Sequence, residues 1–335
     1  MLNRGREIAS FRVVRRIRNP SLVVCGLLAA ILARWVHAAL FAYIPNDDST
    51  VSVIDTGTNT VVNTLHVGNS PVGIAPFPTR PGIFITNSGD NSVTVINTQF
   101  QRIAKTIRNV GSNPEGIAIN PAGTLIYVAN NLDSSVTVMN PQGHRVATIP
   151  VGVLPLGIVV NPAGSLVYVA NNGISSNISV IDASTNKVIK TIPIGGNPGA
   201  GPAGLAINSS GSVLYATKLA GNIVSVIDTS TNTVTATIAV GTQPTGIALD
   251  PVHAQAYVTN FGSSNVSVID TATNTVTATI PVGNSPFGVA VSPGGFAYVA
   301  NNASNTVSVI DTATNTVIKT IPVGTGPEGF GIFFR

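Results

Sequence analysis

The amino-acid sequence predicts an all-β, seven-bladed β-propeller with four antiparallel strands per blade. Three observations carry that expectation: a repeat of about forty residues, four short strand-like runs in each repeat, and chain ends that complete one another. The tripeptide Pro-x-Gly starts at Pro71, Pro114, Pro155, Pro202, Pro244, Pro286 and Pro327, and the one long interval contains a glycine-rich insert around Gly195–Gly201. A second marker keeps the same phase, because Tyr43, Phe84, Tyr127, Tyr168, Tyr215, Tyr257 and Tyr298 occupy one position of the repeat. A unit this short cannot bury its apolar faces alone, so the repeats must stack around a shared axis.

The repeat beginning at Pro114 shows the pattern. Its runs 116–119, 125–130, 135–140 and 145–151 are rich in Val, Ile and Thr and are separated by turn residues. The Asn-Pro-Ala-Gly segments at 120–123 and 161–164 preset one turn dihedral with proline and tolerate another with glycine. Segments of the type Asp-Thr-x-Thr-Asn start at Asp182 (with Ala183 and Ser184 in the following places), Asp228, Asp270 and Asp311, and put a side-chain oxygen where it accepts backbone amides in the next hairpin. The middle of the first run is Ala75, Ala118, Val159, Ala206, Ala248, Ala290 and Gly331, small residues suited to strands that converge on an axis. The chain enters the repeat at a second strand, around Tyr43, and ends on a lone first strand, GFGIFF. Pairing these two ends closes the ring.

Residues 1–38 read as a signal peptide. Seven arginines stand against the single acid Glu7, followed by the apolar run at 21–33 and by Val36-His37-Ala38, which suits cleavage before Ala39. An uncleaved membrane anchor is the alternative, disfavoured by Arg34 and His37 within the stretch that would span. The domain expected to remain, residues 39–335, holds ten of the 17 Lys and Arg and twelve of the 13 Asp and Glu. A mildly acidic body lacks the basic footprint that nucleic acid requires. Cys25 is the only cysteine, so the cleaved chain has no disulfide, thiolate metal site or cysteine nucleophile.

The strings YVAN, YVTN and VSVIDT, followed by NTVTATIPVG and Pro-x-Gly, closely resemble the YVTN family of β-propeller repeat proteins over about residues 40–335, with a departure to IFITN and VTVINT in the second repeat. The resemblance implies the fold and an exported or surface-associated location: periplasmic, secreted or on the cell surface. It implies no particular activity.

In four-stranded blades, the loops from strand one to two and from three to four share one face, and the remaining loops share the other. The first face here carries uniform hairpins. The second carries variable loops, which is where such scaffolds bind. The residue between Pro and Gly enters the innermost strand at the channel mouth on the variable side: Val72, Glu115, Leu156, Ala203, Thr245, Phe287 and Glu328. Glu115 and Glu328, with Asp47, Asp48, Asp90 and Asp133 in loops of the same three blades, form an acidic crescent, the candidate ligand site, and Lys218 is the one base expected on that face. His66, His144 and His253 fall on an outer strand and in hairpins of different blades, so no catalytic set converges.

The sequence therefore leads to an exported, non-catalytic binding or scaffold propeller without a cofactor or metal. The expected partner is a protein, peptide or glycan, of cationic character if the crescent binds it, with the propeller acting as a monomer. A lactonase-like hydrolase or lyase using Glu115 and Glu328 with a divalent metal is the alternative. A surface-layer or adhesive protein is the third.

Overall fold

In a computed structural model of the chain, residues 40–174, 176–195, 201–250, 252–331 and 334 are described. Residues 1–38, the expected signal peptide, and most of the glycine-rich insert lie outside them, as does the side chain of Phe330. Leu40–Arg335 form one unit of seven sheets, antiparallel except for one strand pair at the ring closure. Blade 3 shows the plan, with strands Pro114–Ile119, Ile126–Asn130, Ser135–Met139 and Arg145–Pro150 running from the axis outward. Blades 2 and 4–7 repeat it from Pro71, Pro155, Pro202, Pro244 and Pro286. Blade 1 contributes Phe41–Asn46, Thr50–Asp55 and Thr60–His66, and its innermost strand comes from the C-terminus.

The second and third strands of each blade are buried on both faces, and these faces build the core. Tyr43, Phe84, Tyr127, Tyr168, Tyr257 and Tyr298 are at most 1 % exposed, so this repeat position is interior packing between neighbouring blades. Outer strands are the least covered: Thr60–His66 alternates between half-buried and exposed, and Lys187–Pro193 and Thr316–Pro322 are exposed except for buried Ile192 and Ile321.

The hairpins behave as turn chemistry requires. Asn120 Oδ1 accepts the amides of Thr124 and Leu125, and Gly123 takes φ = +67°, which a residue with a Cβ rarely adopts. Asp270 Oδ1 accepts the amides of Ala272 and Thr273, both at 2.8 Å. In blade 2, Asn97 holds Gln99 and Phe100 in the same way.

The glycine of Pro-x-Gly is set by close approach between blades. A Cβ on Gly116 would lie 2.3 Å from the Leu156 carbonyl oxygen, and on Gly73 it would lie 2.1 Å from that of Glu115. Gly157, Gly204, Gly246 and Gly288 meet the next blade in the same manner. Innermost strands thus touch all round the axis at this level.

Closure joins the ends as expected, with an irregularity. Pro327 bridges Asn46 and Phe334 bridges Ala42, while Phe330–Gly331 between them pairs in parallel with Gly73–Ile74 of blade 2. Glu328 N donates to Pro45 O at 2.9 Å, and buried Phe334 packs edge-on against Tyr298 of blade 7. The last strand therefore ties three blades together.

Candidate functional site

The variable-face mouth of the channel is ringed by the residues between Pro and Gly. Val72, Leu156, Ala203 and Phe287 pack with Leu219 into an apolar plug across the axis, with Val72 and Ala203 almost fully buried. Thr245 is fixed by hydrogen bonds to Thr259 and the Phe287 carbonyl. Glu115 and Glu328 interrupt this ring on either side of Val72.

Both glutamates are half-buried, and among the described residues neither carboxyl has a hydrogen-bond or ion-pair partner. Burial pushes the Glu115 carboxyl up to about 7. Burial, then the charges of Asp47 and Glu115, push that of Glu328 up to about 8. An apolar collar disfavours the charged form, and carboxylates that sense one another disfavour it further. Asp47 belongs to the same electrostatic group. Its own carboxyl is raised by burial and by Asp48, partly offset by a hydrogen bond from Asn302.

The other three carboxylates of the crescent have different work. Asp48 Oδ2 accepts the Thr325 amide at 2.9 Å, Asp90 Oδ2 that of Asn69 at 2.7 Å, and Asp133 Oδ2 that of Ser112 at 2.7 Å. Each ties its loop to the connector entering its own blade. Ser263 and Ser304 hold the amides of Thr242 and Asn284 from the same repeat position, so the place demands an acceptor and no charge. Electrostatics thus links Glu328 to Asp47 and Glu115, whereas Asp48, Asp90 and Asp133 serve loop fixation. Sequence reasoning passed over the two serines, whose equivalence with the aspartates was the available signal.

Lys218 is 7 % exposed and stands where blades 1–4, 6 and 7 have a buried asparagine. In those blades the asparagine Nδ2 bridges hydroxyls or the amide oxygen of the third strand, as Asn130 does to Ser135 and Thr137. Lys218 is therefore an interior residue of blade 5. His253 Nδ1 lies 2.8 Å from Asp250 Oδ2 in a hairpin, and His66 is exposed on an outer strand, so the histidines stay apart. Among the described residues, no three His, Cys, Asp or Glu side chains come together to hold a metal ion.

Beneath the mouth, the channel contains a cavity of about 460 Å³, walled by the innermost strands and reaching the hairpin side at Pro78, Ile207 and Leu249. The sequence directed attention to the variable face, and this second concavity was not anticipated.

No model of a known protein family matches the chain, and no curated protein matches it. Solved structures do. The chain is similar to hydrazine synthase of Kuenenia stuttgartiensis (22% identity, TM-score 0.54, covering 74% of this chain and 98% of that one). It is also similar to dihydro-heme d1 dehydrogenase NirN in complex with DHE (14% identity, TM-score 0.66, covering 87% of this chain and 74% of that one). At these identities the likeness concerns the fold, a seven-bladed β-propeller. It also corrects one expectation. Both neighbours are named as enzymes, so uniform hairpins and scattered histidines on such a ring are no ground for a non-catalytic assignment.

Proposed function

We propose that the chain is an exported YVTN-type propeller whose Glu115–Glu328 pair, flanked by Asp47, binds a ligand bearing an amine or other cationic group. The observation that carries this is two half-buried carboxyls without a protein partner at the rim of an apolar plug, raised to about 7 and about 8. A bound cation supplies the missing counter-charge, and the apolar collar strengthens that attraction relative to bulk water. The arginine-rich leader motivates the location, and the YVAN, YVTN and VSVIDT strings motivate the family. The test is titration with tri-lysine and with a glucosamine disaccharide, against their N-acetylated forms. The amines should bind, weaken with added salt, and lose at least tenfold affinity in Glu115→Gln/Glu328→Gln. Equal binding by the acetylated forms, or by the double variant, contradicts the proposal.

Acid–base chemistry is a second function supported by the same pair. Carboxyls at about 7 and about 8 exchange protons near neutrality, the property that a hydrolase or lyase asks of its general acid and base. Turnover of lactone or glycoside substrates that falls in each single Glu→Gln variant would favour this chemistry over binding alone.

A further inference from the structure

We infer that the central channel is a second binding site, for a slim apolar molecule such as a single alkyl chain, entering from the hairpin face. It is independent of the glutamate pair. Every described side chain on the wall is Ala, Val, Leu, Ile or Pro, with glycines between them, and all seven blades contribute. Ala118, Ala206, Ala248, Val160, Ile207 and Leu249 are half-exposed inside it, although hydrophobic side chains at such interior strand positions are otherwise covered.

Three features select the occupant. The upper end is closed, because the plug of Val72, Ala203, Leu156 and Phe287 crosses the axis and the innermost strands touch at their Pro-x-Gly glycines. The site is therefore a blind tube, which favours a ligand entering end-on. Among the described residues the wall offers no side-chain hydrogen-bond partner, and its polar groups are backbone amides at strand edges. A water needs two to four partners, so the tube solvates water poorly while apolar cavities accept apolar guests. Its volume of about 460 Å³ falls within the range of small-molecule sites. At roughly 30 Å³ per water-sized group, that is room for about fifteen methylenes.

The experiment uses the folded protein without its leader and a series of straight-chain alcohols from six to eighteen carbons, which displace the fluorescent apolar probe N-phenyl-1-naphthylamine. Affinity should rise by about fourfold per methylene and level off near the length that fills the tube. Adhesion to exposed surface residues such as Leu132 and Ile174 would instead rise without a plateau. Ala118→Phe and Ala248→Phe, which fill the tube from opposite walls, should weaken the longest alcohol at least tenfold while Glu115→Gln/Glu328→Gln leaves it unchanged. If a phenylalanine variant fails to fold, the milder Ala206→Val should shorten the chain length at which affinity levels off. No displacement, a rise without a plateau, or displacement unaffected by a folded filling variant overturns the site.

Discussion

The channel mouth and the hairpin face are built from the same seven repeats but held in opposite ways. A hairpin is local: Asp270 reaches amides two and three residues away, and the same device recurs at Asp55, Asp182, Asp228 and Asp311. The mouth is long-range. Gly116 meets Leu156 of the next blade, Asp48 meets Thr325, and Glu328 shares its electrostatics with Asp47 and Glu115. Carboxylates follow the same division. Side-chain hydroxyls and backbone amides hold Asp228 below the usual carboxylate range, and backbone amides do so for Asp270, whereas burial lifts Glu115 and Glu328 above it. Changes at the mouth should therefore act on the whole ring, and changes in a hairpin on one turn.

The largest effect should come from deleting residues 327–335, which removes the bridges to Asn46 and Ala42 and the packing of Phe334 on Tyr298. The melting temperature should fall by about 10 °C or more, and the bared edge of blade 1 should promote association. A monomeric truncation of unchanged stability would break the ring-closure account. Next comes Gly116→Ala, whose methyl would lie 2.3 Å from a backbone oxygen that cannot swing away. It should destabilise by about 1–3 kcal/mol, as overpacking does. The equivalent change at Gly195, which has no described residue within 4 Å of the added Cβ but φ = +66°, tests backbone strain without a clash from the described residues. Equal losses at the two would remove close approach as the reason for the glycine.

Smaller effects separate the two kinds of carboxyl. Glu115 and Glu328 have raised folded pKa values, so their contribution is full below the unfolded carboxylate range and is lost as pH rises through about 7 and about 8. The melting temperature should drop by roughly 5 °C between pH 6 and 9, and Glu115→Gln/Glu328→Gln should abolish that drop. Asp182, Asp228 and Asp270 have lowered values, so their contribution is present above the unfolded carboxylate range and is lost as pH falls below it. The smallest effect belongs to Asp270→Asn, since Asn97 already performs that task in blade 2. Asp270→Ala should lower the melting temperature by no more than about 2 °C, with ligand binding unchanged. A variant at Asp270 that altered binding would erase the distinction between the faces.

The same division explains what the sequence made legible. Hairpins and strands rest on residues close in the chain, so Asn120-Pro121-Ala122-Gly123 and the phase of Tyr43 to Tyr298 were sufficient to place the blades. Contacts at the mouth join residues 21 positions apart or, across the closure, 277. No local pattern tells an aspartate that caps a distant amide from one that is free. Asp90 and Asp133 thus entered the crescent beside Glu115, although Ser263 and Ser304 in the same place already marked a neutral task. The glycine of every Pro-x-Gly was visible as a period, and its cause became visible only with the adjoining blade in place. A channel mouth was legible, but the open apolar tube beneath it was not, because small inner residues signal crowding at the axis equally well.

The pH dependence of tri-lysine binding between pH 5.5 and 9 tests the central claim most directly. With its α-amino group capped by acetyl, since that group would titrate in this window, the peptide keeps its three side-chain charges throughout, so the change reports the protein's carboxyls. Affinity for the wild-type chain should increase at least tenfold as the pair ionises through about 7 and about 8, and it should be weak and flat in Glu115→Gln/Glu328→Gln. A wild-type affinity that is constant over this range, or a rise that survives in the double variant, would contradict a cation site built on these two glutamates.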